Sequence, residues 1–247
     1  MEENDIIQKS KSPWASPVVI VSKKSGDARI CINYRKLNSI TKGDAYPLPL
    51  IDDLLEKFRN ASWFSTLDLA SGYWQVEMEE SDREKTAFIC QYGLYEFKRM
   101  PFGLKNAPGT FQRLMNFVLQ EYLYKFVAVY LDDIIIYSKT HEEHLQHLQM
   151  VFEAIRKAKL MIKLKKCQFC LPNIPFLGHI VGRSGLQPDP EKIRKIKELP
   201  APQGLTELRA ALGLFSYYRK FVKGFSQIAK PIITLLKKDA PYVWTND

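Results

Sequence analysis

The sequence predicts an α+β fold built on an antiparallel sheet. Three observations carry that prediction. Residues 63–69 and 127–137 are apolar, β-branched and aromatic runs of strand length, the second interrupted by Asp132-Asp133. Residues 108–122 and 141–159 space their apolar side chains at helical intervals. A hairpin turning at Asp132-Asp133 resolves the second run into two paired antiparallel strands.

In chain order, Val18–Ser22 and Ala28–Tyr34 read as two strands around a Lys23–Asp27 turn. Ile51–Phe58 reads as a helix behind Pro47 and Pro49. Asp52 and Asp53 fall in its first turn, where acids complement the helix dipole, so this Asp-Asp pair marks a helix start. The next strand carries Asp68. Pro108 then opens a helix with Phe111, Leu114, Met115, Val118, Leu119 and Tyr122 on one face. Thr140-His141-Glu142-Glu143 is a capping box for a helix running to about Lys159. His141, His144 and His147 recur at every third position, which predicts a solvated edge. The zinc-protease pattern His-Glu-x-x-His fails because position 145 is Leu. Residues 182–190 read as a Gly- and Pro-bearing connection. Helical patterns follow at 190–199 and 204–222, the latter with Leu205, Leu208, Leu212 and Phe215 as its buried stripe.

Carboxylates inside apolar strands cost several kcal/mol each to desolvate unless a cation compensates them. Asp132 and Asp133 therefore read either as a solvated turn or as ligands of a divalent cation. A third acid, Asp68, stands 64 residues upstream in a second apolar run. Three carboxylates from two strand ends suit hard, oxygen-seeking ions of the kind that clamp a phosphoryl transfer.

Composition sets bounds. The chain has 247 residues and a formal charge of +9, unevenly spread. Residues 1–150 hold 18 Lys and Arg against 20 Asp and Glu, whereas residues 151–247 hold 18 against 7, a net +11. Such a basic segment suits contact with phosphates. No run of 18 apolar residues exists, so no membrane-spanning helix is predicted. The acidic, polar start (Met1-Glu2-Glu3-Asn4-Asp5) is unlike a secretory leader. Cys31, Cys90, Cys167 and Cys170 are too few for a disulfide framework and fit a reducing compartment. Cys167 and Cys170 have zinc-like spacing, but no second Cys/His pair follows.

Seven ordered blocks complete the reading: SPWASPVVIVSKKSGDARICINYRKLN (12–38), YPLPLIDDLL (46–55), FSTLDLASGYWQV (64–76), KTAFICQYGLYEFKRMPFGLKNAPGTFQRLMN (85–116), VYLDDIIIYSK (129–139), FLGHIV (176–181) and LRAALGLFSYYRKFV (208–222). Through them the chain resembles, over essentially its whole length, the reverse transcriptase of Gypsy-class long-terminal-repeat retrotransposons. The resemblance implies a right-hand polymerase: fingers at about 1–60 and 80–105, palm in the rest to about 182, and thumb with the start of a connection at 183–247. It implies that protease, integrase and ribonuclease H parts lie outside the chain. It implies RNA-directed DNA polymerase activity in the cytoplasm, within a virus-like particle. The competing reading is a domesticated or relic element that binds nucleic acid without catalysis.

Carried over residue by residue, Asp68, Asp132 and Asp133 match the family's catalytic carboxylates. With the Leu69 carbonyl they would hold two Mg²⁺ ions, for which Mn²⁺ can substitute. Lys24 and Arg29 match residues that grip the incoming triphosphate. Tyr73 falls at the steric gate against ribose, and Phe102 at the lining of the nucleotide pocket, where many retroviral enzymes carry Gln. Phe176, Leu177, Gly178 and His179 match the primer grip. Arg209, Arg219, Lys220 and Lys223 remain for the nucleic-acid backbone. The implied partners are an RNA template, a DNA primer, the RNA–DNA hybrid and deoxynucleoside triphosphates.

Overall fold

The computed structural model describes residues 1–22, 28–237 and 241–244. The first strands are β1 (Ile7–Lys9), β2 (Ser16–Ser22) and β3 (Ala28–Ile32), followed by helices α1 (Arg35–Ile40) and α2 (Ile51–Lys57). Then come β4 (Trp63–Asp68), a single 3₁₀ turn at Gly72–Gln75, α3 (Glu80–Arg83), β5 (Phe88–Cys90), β6 (Gly93–Phe97) and α4 (Ala107–Val118). The hairpin is β7 (Val127–Tyr130) and β8 (Asp133–Ser138), followed by α5 (His141–Lys157) and β9 (Gln168–Leu171). The remainder comprises β10 (Asn173–Phe176), β11 (His179–Gly182), β12 (Gly185–Pro188), α6 (Pro190–Lys197), α7 (Leu205–Tyr217) and α8 (Phe225–Thr234). The chain divides into two compact units, Met1–Pro172 and Asn173–Asp247. The boundary at 182 expected from the resemblance falls inside the second of these.

Two sheets occupy the first unit. One has the order β1-β6-β5-β2-β3, with β2 and β5 parallel. The other, β7-β8-β4-β9, is antiparallel throughout. Ile134, Ile135 and Ile136 of its central strand β8 are all fully buried, so this sheet is covered on both faces. That is why the run is continuously apolar and does not alternate. On one face Phe111 and Met115 of α4 and Leu148, Val151 and Ile155 of α5 pack onto Leu67, Val127, Val129, Ile134 and Ile136. On the other, Phe58 at the end of α2 sets its ring edge-on against Phe64 and Tyr137.

Thr140 caps α5 by accepting the Glu143 N–H at 3.2 Å, as the capping box predicts. The histidines depart from expectation. His144 is fully buried, bonded to Ser65 Oγ at 2.7 Å and Ser138 Oγ at 2.8 Å, and His147 stacks flat on Phe126. The two hydroxyls satisfy both ring nitrogens of His144, which removes the usual penalty for burying an imidazole.

In the second unit β10, β11 and β12 form a three-stranded antiparallel sheet. Residues 185–188, expected to be part of a connection, thus form a strand, paired to β11 from His179↔Pro188 to Gly182↔Gly185. On α7 Leu208 and Leu212 are buried as the stripe requires, whereas Leu205 is exposed and Phe215 only partly covered. Among the described residues no helix is long and apolar enough to cross a membrane, and all four cysteines are free.

Candidate active site

The antiparallel ladder of β4 and β8 runs from Trp63↔Ser138 to Asp68↔Asp133. Its last rung therefore places two carboxylates opposite each other at adjacent strand ends. Asp132 lies in the two-residue turn beyond, where Tyr130 pairs with Asp133. The other turn residue, Leu131, has a left-handed backbone (φ +54°), which is costly for a branched side chain. Gln112 of α4 holds it there. The Gln112 side-chain carbonyl accepts the Leu131 N–H at 2.7 Å, and its amide donates to the Val129 carbonyl at 3.2 Å. Gln112 is fully buried; its bond to Val129 is made away from water and its bond to Leu131 is partly buried.

The three acids feel one another. Burial, then the charges of Asp133 and Asp68, push the Asp132 carboxyl above the usual carboxylate range, against an opposing pull from Lys166. Loss of surrounding water and the facing Asp68 push Asp133 the same way. Asp132 Oδ1 is buried without a hydrogen-bond partner. A buried carboxylate oxygen left without a partner, with two other carboxylates nearby, is a group that a cation would satisfy, and oxygen-only donors suit Mg²⁺ or Mn²⁺. Among the described residues no three Asp, Glu, His or Cys groups converge to hold an ion between them. Asp68 is turned instead toward Lys166, whose Nζ lies 2.8 Å from Asp68 Oδ2.

Lys166 ends a 3₁₀ turn, Leu164–Lys166, that is bound to the Asp68 strand end on several sides. The Lys163 N–H donates to the Asp68 carbonyl at 2.8 Å and the Ala70 N–H to the Met161 carbonyl at 2.9 Å, flanking a Leu69↔Ile162 bridge. Gln75 extends this pairing with its side chain. It accepts the Met161 N–H at 2.7 Å and donates to the Met161 and Ala70 carbonyls at 3.0 and 2.8 Å.

Residues 21–181 match the family model "Reverse transcriptase (RNA-dependent DNA polymerase)". The chain belongs to the reverse transcriptase family. It is 46% identical over 243 residues to the retrovirus-related Pol polyprotein from transposon 297 of Drosophila melanogaster, covering 96% of this chain and 23% of that protein. To the Pol polyprotein from transposon gypsy of the same species it is 43% identical, covering 95% of this chain and 23% of that protein. Among solved structures it matches a foamy viral protease–reverse transcriptase in complex with double-stranded DNA, with a TM-score of 0.91 and 28% identity. That match covers 99% of this chain and 43% of the other. The chain thus spans about a quarter of the curated relatives it resembles. The α+β polymerase architecture with an antiparallel sheet, expected from the sequence and the resemblance, is the fold of this structure.

Elsewhere in the reverse transcriptase domain, Tyr73 is buried on the 3₁₀ turn after Asp68, with its ring 4.9 Å from Phe102 and 5.3 Å from Phe111. Burial, with the Asp132 charge adding to it, pushes its phenol up to about 12. Gly72 permits this cluster, since a Cβ there would stand 2.9 Å from the Phe111 ring. Lys24 lies outside the described residues. Arg29 is on β3, its backbone paired with Val21.

Phe176 and His179 close the β10–β11 hairpin through the turn Leu177-Gly178. Both turn residues have positive φ (45° and 77°), the conformation that suits a two-residue hairpin. Tyr217 donates to the Leu177 carbonyl and Tyr218 to the Gly178 carbonyl at 3.0 Å. A Cβ at 178 would lie 2.8 Å from the Tyr218 hydroxyl, so glycine is required both for its backbone and for space. His179 is buried against Tyr217, Tyr218 and Phe221. Arg209, Arg219, Lys220 and Lys223 are exposed.

Sequence reasoning missed Gln75, Gln112 and Lys166. A signal existed for Gln112, a polar residue between Pro108 and Met115 on an otherwise apolar helical stripe. None existed for Gln75 or Lys166, whose partners lie 86 and 98 residues away.

Proposed function

We propose that this chain extends a DNA primer on an RNA or DNA template, joining each deoxynucleoside triphosphate to the primer 3′-hydroxyl with release of pyrophosphate. One observation supports this above the others: the Asp68↔Asp133 rung with the unpartnered Asp132 oxygen beside it, on strand ends that fall inside the family match. Asp68, Asp132, Asp133 and the Leu69 carbonyl would hold two divalent ions, Mg²⁺ or its substitute Mn²⁺. When bound, such ions supply charge neutralisation for the transferred phosphoryl group and for the attacking oxygen.

The chain's own residues do the positioning. The β4–β8 ladder fixes the two facing carboxylates, and Gln112 fixes the turn that aims Asp132. Tyr73 and Phe102 form an apolar floor for the sugar of the incoming nucleotide. Lys24 and Arg29 meet its phosphates as cations able to neutralise an anion. The Phe176–His179 turn, held by Tyr217 and Tyr218, seats the primer end. Arg209, Arg219, Lys220 and Lys223 follow the phosphate backbone. In this assignment the first sheet and its flanking helices to about residue 60, with 80–105, act as fingers, the β7-β8-β4-β9 sheet as palm, and the α6–α8 segment as thumb.

Primer extension on a poly-ribonucleotide template with Mg²⁺ tests the reading. Deoxynucleotide incorporation by the parent that is lost in Asp132→Asn supports it. A parent that binds hybrid but adds no nucleotide refutes it.

A further inference from the structure

The Asp68–Lys166 pair stands out because both partners are committed elsewhere by charge. Asp68 faces Asp133 and contributes to raising both other acids, and Lys166 opposes that rise at each. Lys166 is a surface lysine by exposure, with 56% of its side chain accessible against 31% for Asp68. Its position is nevertheless prescribed. The segment from Met161 to Cys167 is tied to the Asp68–Ala70 backbone by the Lys163 and Ala70 N–H bonds and by the Gln75 side chain. Cys167 adds a tie by accepting the Asp68 N–H at 3.4 Å. An ammonium so placed stands on lone pairs that a hard cation would need.

We propose that Lys166 is a resident counter-cation of Asp68 that a divalent ion must displace, so that this lysine sets the metal affinity of the protein in the absence of nucleotide. The proposal rests on reading Asp68 as a metal ligand. Without Lys166, three neighbouring carboxylates would be left mutually repelling. With it, the site is partly neutralised and the ion binds in exchange for an ammonium. Ammonium and divalent ion are alternatives at Asp68 Oδ2.

The test is a Mn²⁺ titration of the whole chain, without nucleotide or nucleic acid, reading free Mn²⁺ by electron paramagnetic resonance. Lys166→Gln should bind Mn²⁺ roughly two- to five-fold more tightly than the parent, the range for losing a competing half-exposed ion pair. Lys166→Arg, which keeps the cation, should not tighten binding. Neither should Lys165→Gln, which removes the same charge from the neighbouring residue. In the parent, Mg²⁺ should shift the side-chain methylene resonances of Lys166 and leave those of Lys165 in place. Lys166→Gln affinity equal to the parent's, or equal tightening by Lys165→Gln, overturns the displacement. Asp68→Asn separates the two readings. If it weakens Mn²⁺ binding while Lys166→Gln does not tighten it, only the displacement falls. If Asp68→Asn binds as the parent does, Asp68 is no ligand and both readings fall.

Discussion

Gln112 accepts the Leu131 N–H at 2.7 Å, so the helix below the sheet holds the turn that carries Asp132. Gln112→Leu fills the same space but leaves the Leu131 amide and the Val129 carbonyl unpartnered. An unsatisfied buried polar group costs about 1–3 kcal/mol, and the left-handed Leu131 would be free to relax. Thermal unfolding should register that loss. Nucleotide incorporation should fall by up to about a hundred-fold, the penalty of a catalytic group misplaced by near 1 Å. Parental Tm and parental rate together would show that the turn holds itself.

Asp132→Asn should separate stability from activity. The Asp132 carboxyl is raised by burial and by two facing charges, which means its ionised form is disfavoured in the folded protein. At neutral pH, without metal, replacing it by a neutral amide removes repulsion, and Tm should rise. Incorporation should fall roughly a hundred-fold or more, because metal ligation at a phosphoryl-transfer site is worth several kcal/mol. Hybrid binding should persist. A lower Tm in Asp132→Asn would mean that the carboxylate is a structural group.

The hairpin and its acids were legible because they break a strong pattern. A carboxylate pair in a buried strand has few physical solutions, and the structure puts the pair at a hairpin turn with one Asp132 oxygen buried and unpartnered. The α5 cap was legible from four consecutive residues. What failed were judgements about which side of an element faces water. His144 looked solvated because three histidines spaced along a helix are polar. Its burial depends on Ser65 and Ser138, two hydroxyls on strands 79 and 6 residues away. The β12 strand was hidden by Gly185 and Pro188, residues of turns, which here sit at the two ends of a short edge strand. Gln75 and Lys166 were invisible for a related reason: their roles arise from pairings across nearly 100 residues of chain.

His144 gives the fold an acid limit. Burial, with His147 and His141 adding to it, holds its imidazole down to about 4, below the ordinary histidine value of about 6.5. The folded state therefore resists the proton that the unfolded chain accepts. Its contribution is fully present above about pH 6.5 and is lost as pH falls toward 4, by up to about 3 kcal/mol. Asp132 and Asp133, raised in the folded state, act in the opposite sense, so the comparison must be between variants. Denaturant unfolding of metal-free protein at pH 7 and pH 5 should show a larger loss for the parent than for His144→Gln. Equal losses would place the acid limit elsewhere.

The exposed cations of the second unit should appear in the salt dependence of binding. Residues 173–247 hold 12 Lys and Arg against 6 Asp and Glu, a net +6, and Arg209, Arg219 and Lys223 are solvent-exposed. Replacing these three by Gln should weaken binding to RNA–DNA hybrid regardless of its sequence. The slope of log K against log salt should flatten by roughly 0.7–0.9 for each phosphate no longer neutralised by the protein. A slope identical to the parent's would show that these side chains face solvent in the complex.

Tyr73 is where packing would bear on the proposed sugar selection. Its ring is wedged between Phe102 and Phe111 on the turn after Asp68, close enough to Asp132 for that charge to raise its phenol. A ring held on two sides cannot swing away from a bulkier sugar, so a 2′-hydroxyl above it would meet a fixed wall. Tyr73→Ala removes the wall and leaves Asp68, Asp132 and Asp133 in place. Ribonucleotide use relative to deoxyribonucleotide use should rise by orders of magnitude in single-nucleotide incorporation assays, since in the proposed reading the parental penalty is a steric clash. Deoxyribonucleotide incorporation should fall only modestly, as apolar packing against a sugar in a pocket is worth about 1–3 kcal/mol. Tyr73→Phe, which keeps the ring and removes the hydroxyl, should discriminate as the parent does. If Tyr73→Ala remains as selective as the parent while its Tm drops, the ring belongs to the core and the sugar is read elsewhere.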